Sequence, residues 1–143
     1  MDNKVEEFLA HHKVGVISIL SPQNIPHAST VHYAHSDNPF HVYIITEKKS
    51  KKCVGLLDGL STNASFVTGF SEEEWVTFQA DGDIHIPRSE KELDEAKAAY
   101  YLKFPNALAN EHNQNLTFLI FTPTSWKYTN LNPEPWEIIS SEK

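Results

Sequence analysis

The residues best suited to chemistry in this chain lie in one short basic turn. The turn combines two hydroxyl side chains with four lysines: Thr46, Ser50, Lys48, Lys49, Lys51 and Lys52. A short apolar segment with a helical pattern follows, so the lysine charges and the free N–H groups of a helix N-terminus would lie side by side. This combination predicts an anion site, such as one for a phosphate group. An ordinary solvated lysine-rich turn is the alternative interpretation.

The elements that position this turn can be predicted from the residues around it. The run HVYIIT at 41–46 is rich in β-branched and aromatic residues and indicates a strand, and ASFVTG at 64–69 indicates another. Between them, residues 51–58 are predicted to form a short helix, with Ser50 as its N-cap and Gly59 as its C-terminal stop. The turn therefore joins the end of a strand to the start of a helix.

The charge balance of the chain excludes one class of partner. Of its 143 residues, 19 are Asp or Glu and 12 are Lys or Arg, which gives a formal net charge of -7. A nucleic-acid-binding protein needs a basic face to neutralise phosphates, and this chain has a single arginine, Arg88. We therefore expect no nucleic-acid partner. The length is that of one ordinary domain, which we place at residues 1–143.

Three further features bear on the compartment. No apolar run reaches the roughly 18 residues needed to span a bilayer, so no membrane partner is expected. Residues 1–13 lack the basic start and continuous apolar stretch of a signal peptide. The single Cys53 excludes an intramolecular disulfide and a cysteine-rich metal site, and its apolar neighbours predict a buried core residue. The expected location is the cytoplasm.

The pattern along the rest of the chain predicts a mainly β fold. An amphipathic helix with Asp2 as its N-cap is expected at the start, and a second one follows Ser89, which forms a capping box with Glu92. About six strand patterns, among them 14–20 and 27–35, are separated by short polar turns that favour antiparallel pairing. Too few helices lie between them for a parallel sheet. We predict an α+β, six-stranded antiparallel barrel, closed or partly closed, with short flanking helices.

Histidine and aromatic residues supply the remaining candidates. The eight histidines show no metal-binding motif, so no metal site is predicted. His32 lies within a predicted strand, where it is either a half-buried strand residue or a ligand contact. Trp126, at the end of the last long strand, is either a core aromatic or a platform for a planar ligand.

The order of the elements and the residues of the turn resemble a known family. The match runs from IPHASTVHYAH at 25–35, through the basic turn, to SFVTGF at 65–70. These segments resemble the pyridoxamine 5'-phosphate oxidase-like, FMN-binding split-barrel superfamily. Its members have a strand along the flavin, a strand that ends in Thr, and a Ser-Arg/Lys-Lys sequence at the start of the next helix. The segment AKAAYYLKFPNA, at 96–107, is similar to a small YhbP-like branch of unassigned activity.

The resemblance implies a split barrel that forms a homodimer, with FMN at the subunit interface. The turn residues would bind the ribityl phosphate, and backbone groups of 30–33 would face the isoalloxazine ring. Lys48 and Lys49 would then face solvent. The implied cofactor-binding residues are Thr30, Val31, His32, Tyr33, Ile45, Thr46, Ser50, Lys51, Lys52 and Trp126.

Departures from the family pattern bear on activity. The basic residues of the second strand are absent, Trp75 stands where a glutamine is expected, and Arg88 is the single arginine, so true pyridoxamine phosphate oxidase activity is not expected. One hypothesis is a flavin-dependent oxidoreductase that acts on a small substrate. No catalytic residue is assigned, and His32 and Tyr33 are candidates by position. The alternative is a non-catalytic cofactor-binding or structural dimer with the same fold.

Overall fold

A computed structural model describes residues 1–142 of the chain. The strands, in chain order, are β1 (Val14–Leu20), β2 (Pro26–His32), β3 (Ala34–Ser36), β4 (His41–Glu47), β5 (Ser61–Thr68), β6 (Val76–His85), β7 (Leu116–Asn130) and β8 (Glu137–Ser140). The helices are α1 (Asn3–His11), a first 3₁₀ helix (Lys51–Gly59), α2 (Glu90–Lys103) and a second 3₁₀ helix (Pro105–Asn110).

All strands join one antiparallel sheet. The order along the sheet is β2-β1-β5-β6-β7-β4-β3, and β8 pairs with the far end of β7. The sheet curls, so that Cα atoms of β2 and β4 approach within 8 Å although no ladder joins the two strands. The barrel is therefore open between β2 and β4. The predicted mainly β, antiparallel split-barrel fold with short flanking helices is confirmed.

The strand number is eight instead of the predicted six. The predicted second strand is interrupted at Tyr33, whose N–H donates to the carbonyl of Lys13 at 3.0 Å. After Tyr33 the chain leaves β1, and β3 pairs with β4 instead. The other additional strand, β8, lies in the proline-rich tail, where Ile139 packs against the core. Both additions are short, and neither changes the architecture.

Each α-helix begins at the residue that the sequence predicts. The Asp2 carboxylate accepts from the N–H of Lys4 at 2.8 Å and caps α1. At α2, the Ser89 hydroxyl accepts from the N–H of Glu92 at 3.1 Å, and the Glu92 carboxylate accepts from the N–H of Arg88 at 2.9 Å. These bonds satisfy N–H groups that have no partner within the helix. Among residues 1–142, no helix is both long enough and apolar enough to cross a membrane.

Hydrophobic side chains cover both faces of β4. Val42 and Ile44 point into the barrel, where they join the larger core. Tyr43, and the partly buried Ile45 beyond it, point to the other face and pack with residues of α2 such as Tyr100. Alternation along the strand thus places consecutive residues on opposite sides of the sheet. The barrel interior and the α2 face are two separate environments at the end of β4.

The helix after the basic turn differs from the prediction. Residues 51–59 form a 3₁₀ helix that is interrupted at Leu57 and Asp58, and Asp58 has a φ of 60°. Ser50 occupies the N-cap position, but its side chain makes no capping hydrogen bond. The Ser50 hydroxyl contacts the Thr46 hydroxyl instead. Gly59 ends the helix with a φ of 76°, as its position predicts.

Candidate functional site

The turn after β4 is held together by short-range hydrogen bonds. The hydroxyl oxygens of Thr46 and Ser50 lie 3.2 Å apart. The Ser50 N–H donates to the carbonyl of Glu47 at 3.0 Å, and the Cys53 N–H donates to the carbonyl of Ser50 at 3.1 Å. Cys53 itself is buried, as predicted, with its Sγ 3.6 Å from the Glu47 carbonyl. The two hydroxyls are thus fixed side by side at the start of the 3₁₀ helix.

Glu47 lies in the same turn, but none of the four lysines there forms an ion pair with a carboxylate of the described residues. No carboxylate of residues 1–142 lies within 4.0 Å of an ammonium group of Lys48, Lys49, Lys51 or Lys52. Lys52 is half-buried and the other three are exposed. Their positive charge is therefore not held in an ion pair of the described residues, and it lies next to the two hydroxyl groups. This arrangement fits a phosphate group, which takes charge-assisted hydrogen bonds from such donors.

The predicted flavin-lining segment lies at the open edge of the sheet. The bond from the Tyr33 N–H to Lys13 shows that alternate residues of β2 direct their backbone groups towards β1. The N–H and C=O groups of Thr30 and His32 consequently point away from β1, into the gap beside β4. The side chain of Val31 is buried. Two predicted segments, 30–33 and 45–46, therefore lie on the two strands that border the gap.

Ser29 was missed by the sequence-based reasoning. Its Oγ is buried and has no hydrogen-bond partner within residues 1–142. An unpaired buried hydroxyl costs about 1–3 kcal/mol, so such a group usually has a partner in the working protein. A buried water molecule or a polar ligand beside β2 would supply one. Nothing in the sequence distinguishes Ser29 from the exposed Thr30 beside it, because burial depends on the curl of the sheet.

Tyr33 and His32, the two candidates for catalysis by their position in the sequence, have different environments. The Tyr33 side chain is fully buried, and its hydroxyl donates to the carbonyl of Leu9 at 2.8 Å. Burial raises the pKa of Tyr33 well above its usual value. Its hydroxyl is therefore part of the core and faces no ligand. His32 is exposed and contacts the ring of Phe104, with 5.5 Å between ring centroids.

Lys103 connects α2 to the end of α1. Its Nζ donates to the carbonyl of Leu9 at 3.1 Å and to the carbonyl of His12, and it lies 4.1 Å from the ring centroid of Tyr33. No carboxylate of the described residues lies within 4.0 Å of it. Burial lowers the pKa of Lys103 to about 8. The residue therefore contributes hydrogen bonds at the cost of a partly desolvated charge.

This environment predicts a pH dependence of stability. The pKa of Lys103 is lower in the folded protein than in the unfolded chain, so the unfolded state binds more protons between pH 8 and about pH 10.4. The contribution of Lys103 to the free energy of unfolding should therefore rise across this range, by on the order of 1 kcal/mol after allowance for solvent screening. Urea unfolding of wild type and Lys103→Met at pH 8 and pH 10 measures it. Equal changes in both proteins would contradict the assignment.

Trp126 lies apart from the other predicted site residues within one protomer. Its indole stacks on Phe78, with 6.0 Å between ring centroids, and packs against the barrel core. Thr46 pairs with Thr117 near the start of β7. Trp126 lies roughly 30 Å further along that strand at the usual rise per residue. A single protomer therefore does not bring Trp126 to the basic turn.

Several histidines are paired with carboxylates instead of clustering. The Nε2–Oε2 pairs are His12–Glu74 at 2.9 Å, His35–Glu6 at 2.7 Å and His85–Glu92 at 3.1 Å. Each pair joins two different segments of the fold. Within residues 1–142, no group of three or more His, Cys, Asp or Glu side chains is placed to hold a metal ion.

The sequence family is shown by a match over most of the chain. The family model of pyridoxamine 5'-phosphate oxidase matches residues 1–130. The chain belongs to this family. The predicted family membership is thereby confirmed. No curated protein sequence matches the chain.

Solved structures of three other proteins share the fold. A pyridoxamine 5'-phosphate oxidase-related, FMN binding protein from Nostoc punctiforme has a TM-score of 0.69 and 15% identity, over 97% of this chain and 94% of that chain. The FAD binding protein from Mycobacterium smegmatis has a TM-score of 0.64 and 16% identity, over 88% of this chain and 92% of that one. A heme binding protein from Mycobacterium smegmatis has a TM-score of 0.70 and 14% identity, over 92% of this chain.

These similarities show the fold and a range of ligands among its members. This chain spans about half the length of the heme binding protein, 53% of it. The three proteins are named for the binding of FMN, FAD and heme, respectively. The family and fold are therefore established, whereas the ligand of this chain has to be argued from its own residues.

Proposed function

We propose that this chain is a cytoplasmic, homodimeric flavoprotein that binds FMN and uses it for two-electron redox chemistry on a small substrate. The observation that carries the proposal is the basic turn. Two adjacent hydroxyls and four lysines that form no ion pair lie in the turn that directly follows β4, one of the two strands that border the gap. The chain as a whole has a net charge of -7, so a generally basic composition does not explain this local positive charge.

The phosphate is the part of the ligand that the turn fits. In the proposed complex, the ammonium groups of Lys51 and Lys52 neutralise it, and the hydroxyls of Thr46 and Ser50 donate hydrogen bonds to it. The backbone groups of 30–33 line the ring system along the gap. The flavin, when bound, supplies the redox chemistry, while the protein binds, orients and shields it.

In the proposed dimer, the second protomer supplies the Trp126 side chain, which one protomer alone does not bring to the turn. The indole of Trp126 is too far from the turn to join it within the same chain, as its position on β7 shows. In a dimer with the cofactor between protomers, Trp126 of the second protomer can reach the ligand. Trp75 and Trp136 have more than half of their surface exposed, at 52% and 57%, which supports an apolar contact surface on each protomer.

A phosphate-bearing flavin fits this turn better than heme does. Heme presents carboxylates instead of a phosphate and also needs an axial ligand to its iron, and the turn itself carries no histidine. FMN presents a doubly charged phosphate, which matches the closely spaced donors of the turn. We do not propose pyridoxamine 5'-phosphate as the substrate, because its phosphate would need an arginine near the flavin. The single arginine of the chain, Arg88, lies on the α2 side of the sheet.

A non-catalytic cofactor-binding dimer is the second candidate function. One observation favours it: of the two side chains that could act in catalysis by position, Tyr33 is fully buried, with its hydroxyl bound to Leu9. His32 is then the remaining candidate. Reduction of the bound flavin by NADH or NADPH separates the two functions. Rapid reduction followed by reoxidation favours the oxidoreductase, whereas a bound flavin that neither donor reduces favours the non-catalytic protein.

An absorbance spectrum tests the ligand. Purified protein, before and after addition of FMN and removal of the excess, is expected to show the two visible bands of an oxidised flavin in a stoichiometry of one per protomer. Heme added in a parallel experiment is expected to give no stable Soret band. The proposal fails if FMN is removed completely with the excess ligand, and it also fails if heme is retained in its place.

A further inference from the structure

A ligand-sized groove lies on the α2 side of the sheet. It has a volume of about 870 Å³ and runs between α2, the ends of β4 and β7, and residues 110–114. This volume is within the range typical of small-molecule sites. The groove begins at Ile45, which points away from the barrel, whereas the next residue, Thr46, is buried on the other face with Ser50. It is therefore separate from the proposed flavin site.

Aromatic rings form the floor of the groove. Tyr100 and Tyr101 of α2 both contact Phe118 of β7 edge-on, with ring centroids 5.7 Å and 5.9 Å apart. Leu93, about two helical turns nearer the N-terminus of α2, extends the apolar surface. Rings packed against one another in this way have little freedom. The floor therefore offers a preformed surface for a flat apolar group.

The rim of the groove carries two cations that have no acidic partner. Lys48 and Arg88 both line it, and no carboxylate of residues 1–142 lies within 4.0 Å of either charged group. The carboxylates that line the groove are Glu90 and Glu111. Lys97 holds Glu111 at 3.9 Å. With Glu90 included, three cationic side chains face two carboxylates along the groove, and this excess of positive charge favours an acidic ligand.

Arg88 is positioned for this role by its own contact. Its Nε donates to the carbonyl of Gly59 at 2.9 Å, which holds the guanidinium at the edge of the groove. The two terminal nitrogens remain available to a ligand, and a guanidinium edge matches the two oxygens of a carboxylate. At the other side only the backbone of Lys48 is fixed, since its main-chain N–H donates to the carbonyl of Asn115 at 2.8 Å, and its side chain is exposed.

We propose that this groove binds a small aromatic carboxylate. The ring lies on the surface formed by Tyr100, Tyr101 and Phe118, and the carboxylate binds Arg88, with Lys48 adding attraction. The ligand does not compete with the flavin, because the two sites are on opposite faces of β4.

Titration calorimetry with 2-naphthoate, using the full chain with and without saturating FMN, tests this site. The uncharged 2-naphthylmethanol is the matched ligand. Naphthoate is expected to bind at one site per protomer, about tenfold more tightly than the alcohol, and with the same affinity whether or not FMN is present. Equal affinity for the two ligands would overturn the proposal, and so would competition between naphthoate and FMN.

Three variants locate the bound ligand. Arg88→Gln is expected to weaken naphthoate binding about tenfold, and Ala107→Trp, which fills the groove from the second 3₁₀ helix, is expected to abolish it. Lys49→Gln removes a charge from the neighbouring turn outside the groove and should leave the affinity unchanged. Thermal unfolding of each variant confirms that it is folded. Unaltered binding in both Arg88→Gln and Ala107→Trp would overturn the assignment.

Amide chemical shifts give a second, independent readout. Naphthoate is expected to shift resonances of residues 86–101 and 110–118, and to leave those of 26–32 unchanged. The reverse pattern would place the ligand in the gap between β2 and β4, and it would refute a separate site.

Discussion

Replacing Lys51 and Lys52 together by alanine should lower the affinity for FMN by about 100-fold. A hydrogen bond to a charged group contributes roughly 1.5–3 kcal/mol, and about 1.4 kcal/mol corresponds to a factor of ten, so two such contacts account for at least this loss. Neither residue belongs to the hydrophobic core, and neither makes an ion pair within residues 1–142. The fold should therefore remain intact, and fluorescence titration with FMN measures the effect.

The matched control for this double variant is Lys49→Ala with Lys91→Ala. It removes the same total charge, with one lysine from the same turn and one from the exposed side of α2. If the effect arises from specific phosphate contacts, the control should retain an affinity within about threefold of wild type. An equal loss in both double variants would show that general electrostatic attraction, and not the predicted anchor, accounts for the binding.

Gly82→Ala should destabilise the protein by about 3 kcal/mol. Gly82 lies in β6 at a bulge, where the pairing with β7 shifts by one residue. A Cβ at this position would overlap the carbonyl oxygen of Thr122 and lie 2.9 Å from the Cα of Pro123. Because both neighbours are backbone atoms, the overlap can be relieved only by separating two central strands. Chemical denaturation with urea measures the loss.

Gly55→Ala is the matched substitution for Gly82→Ala. At Gly55 the nearest atoms to an added Cβ are those of Pro22, at 3.4 Å, which is ordinary contact distance. The expected change in the free energy of unfolding is within about 0.5 kcal/mol. If Gly82→Ala proved as mild as Gly55→Ala, the close approach of β6 and β7 at the bulge would be wrong.

The local signals in the sequence predicted much of this fold. Asp2 and Ser89 identified the starts of both α-helices, because capping depends on a hydroxyl or carboxylate at one position. An Asp-Gly pair such as Asp81-Gly82 favours a turn or a bulge, and a bulge lies at this position. These features depend on a few neighbouring residues, so no knowledge of the distant chain is needed to predict them.

Features that depend on distant parts of the chain were not predictable in this way. The break at Tyr33 arises because the chain leaves β1 to pair with β4, and a strand pattern does not show where its partner ends. Ser50 was predicted to cap the helix with its side chain. In the structure, the partner of its hydroxyl is the hydroxyl of Thr46 and not an N–H group of the helix. The burial of Lys103 at the end of α1 requires contact between residues about ninety positions apart.

The predicted site residues show the same contrast between local features, which the sequence predicts, and contacts between distant parts of the chain, which it does not. The turn residues Thr46 and Ser50 are neighbours in the chain and lie together in the structure. The segment 30–33 lies across the gap from β4, which follows from the curl of the sheet. Trp126 is remote from the turn within one protomer, and a sequence pattern carries no information on which protomer would supply it. The groove beside Arg88 was not predicted, since its walls come from three separate segments.

The most direct test of the central claim compares FMN with riboflavin, which differ by the phosphate alone. Titration calorimetry of the wild-type protein should show FMN binding at least about 100-fold more tightly than riboflavin, because the basic turn binds the phosphate. In Lys51→Ala with Lys52→Ala, the two affinities should converge. Equal affinity for FMN and riboflavin in the wild-type protein, or no binding of either, would contradict the account.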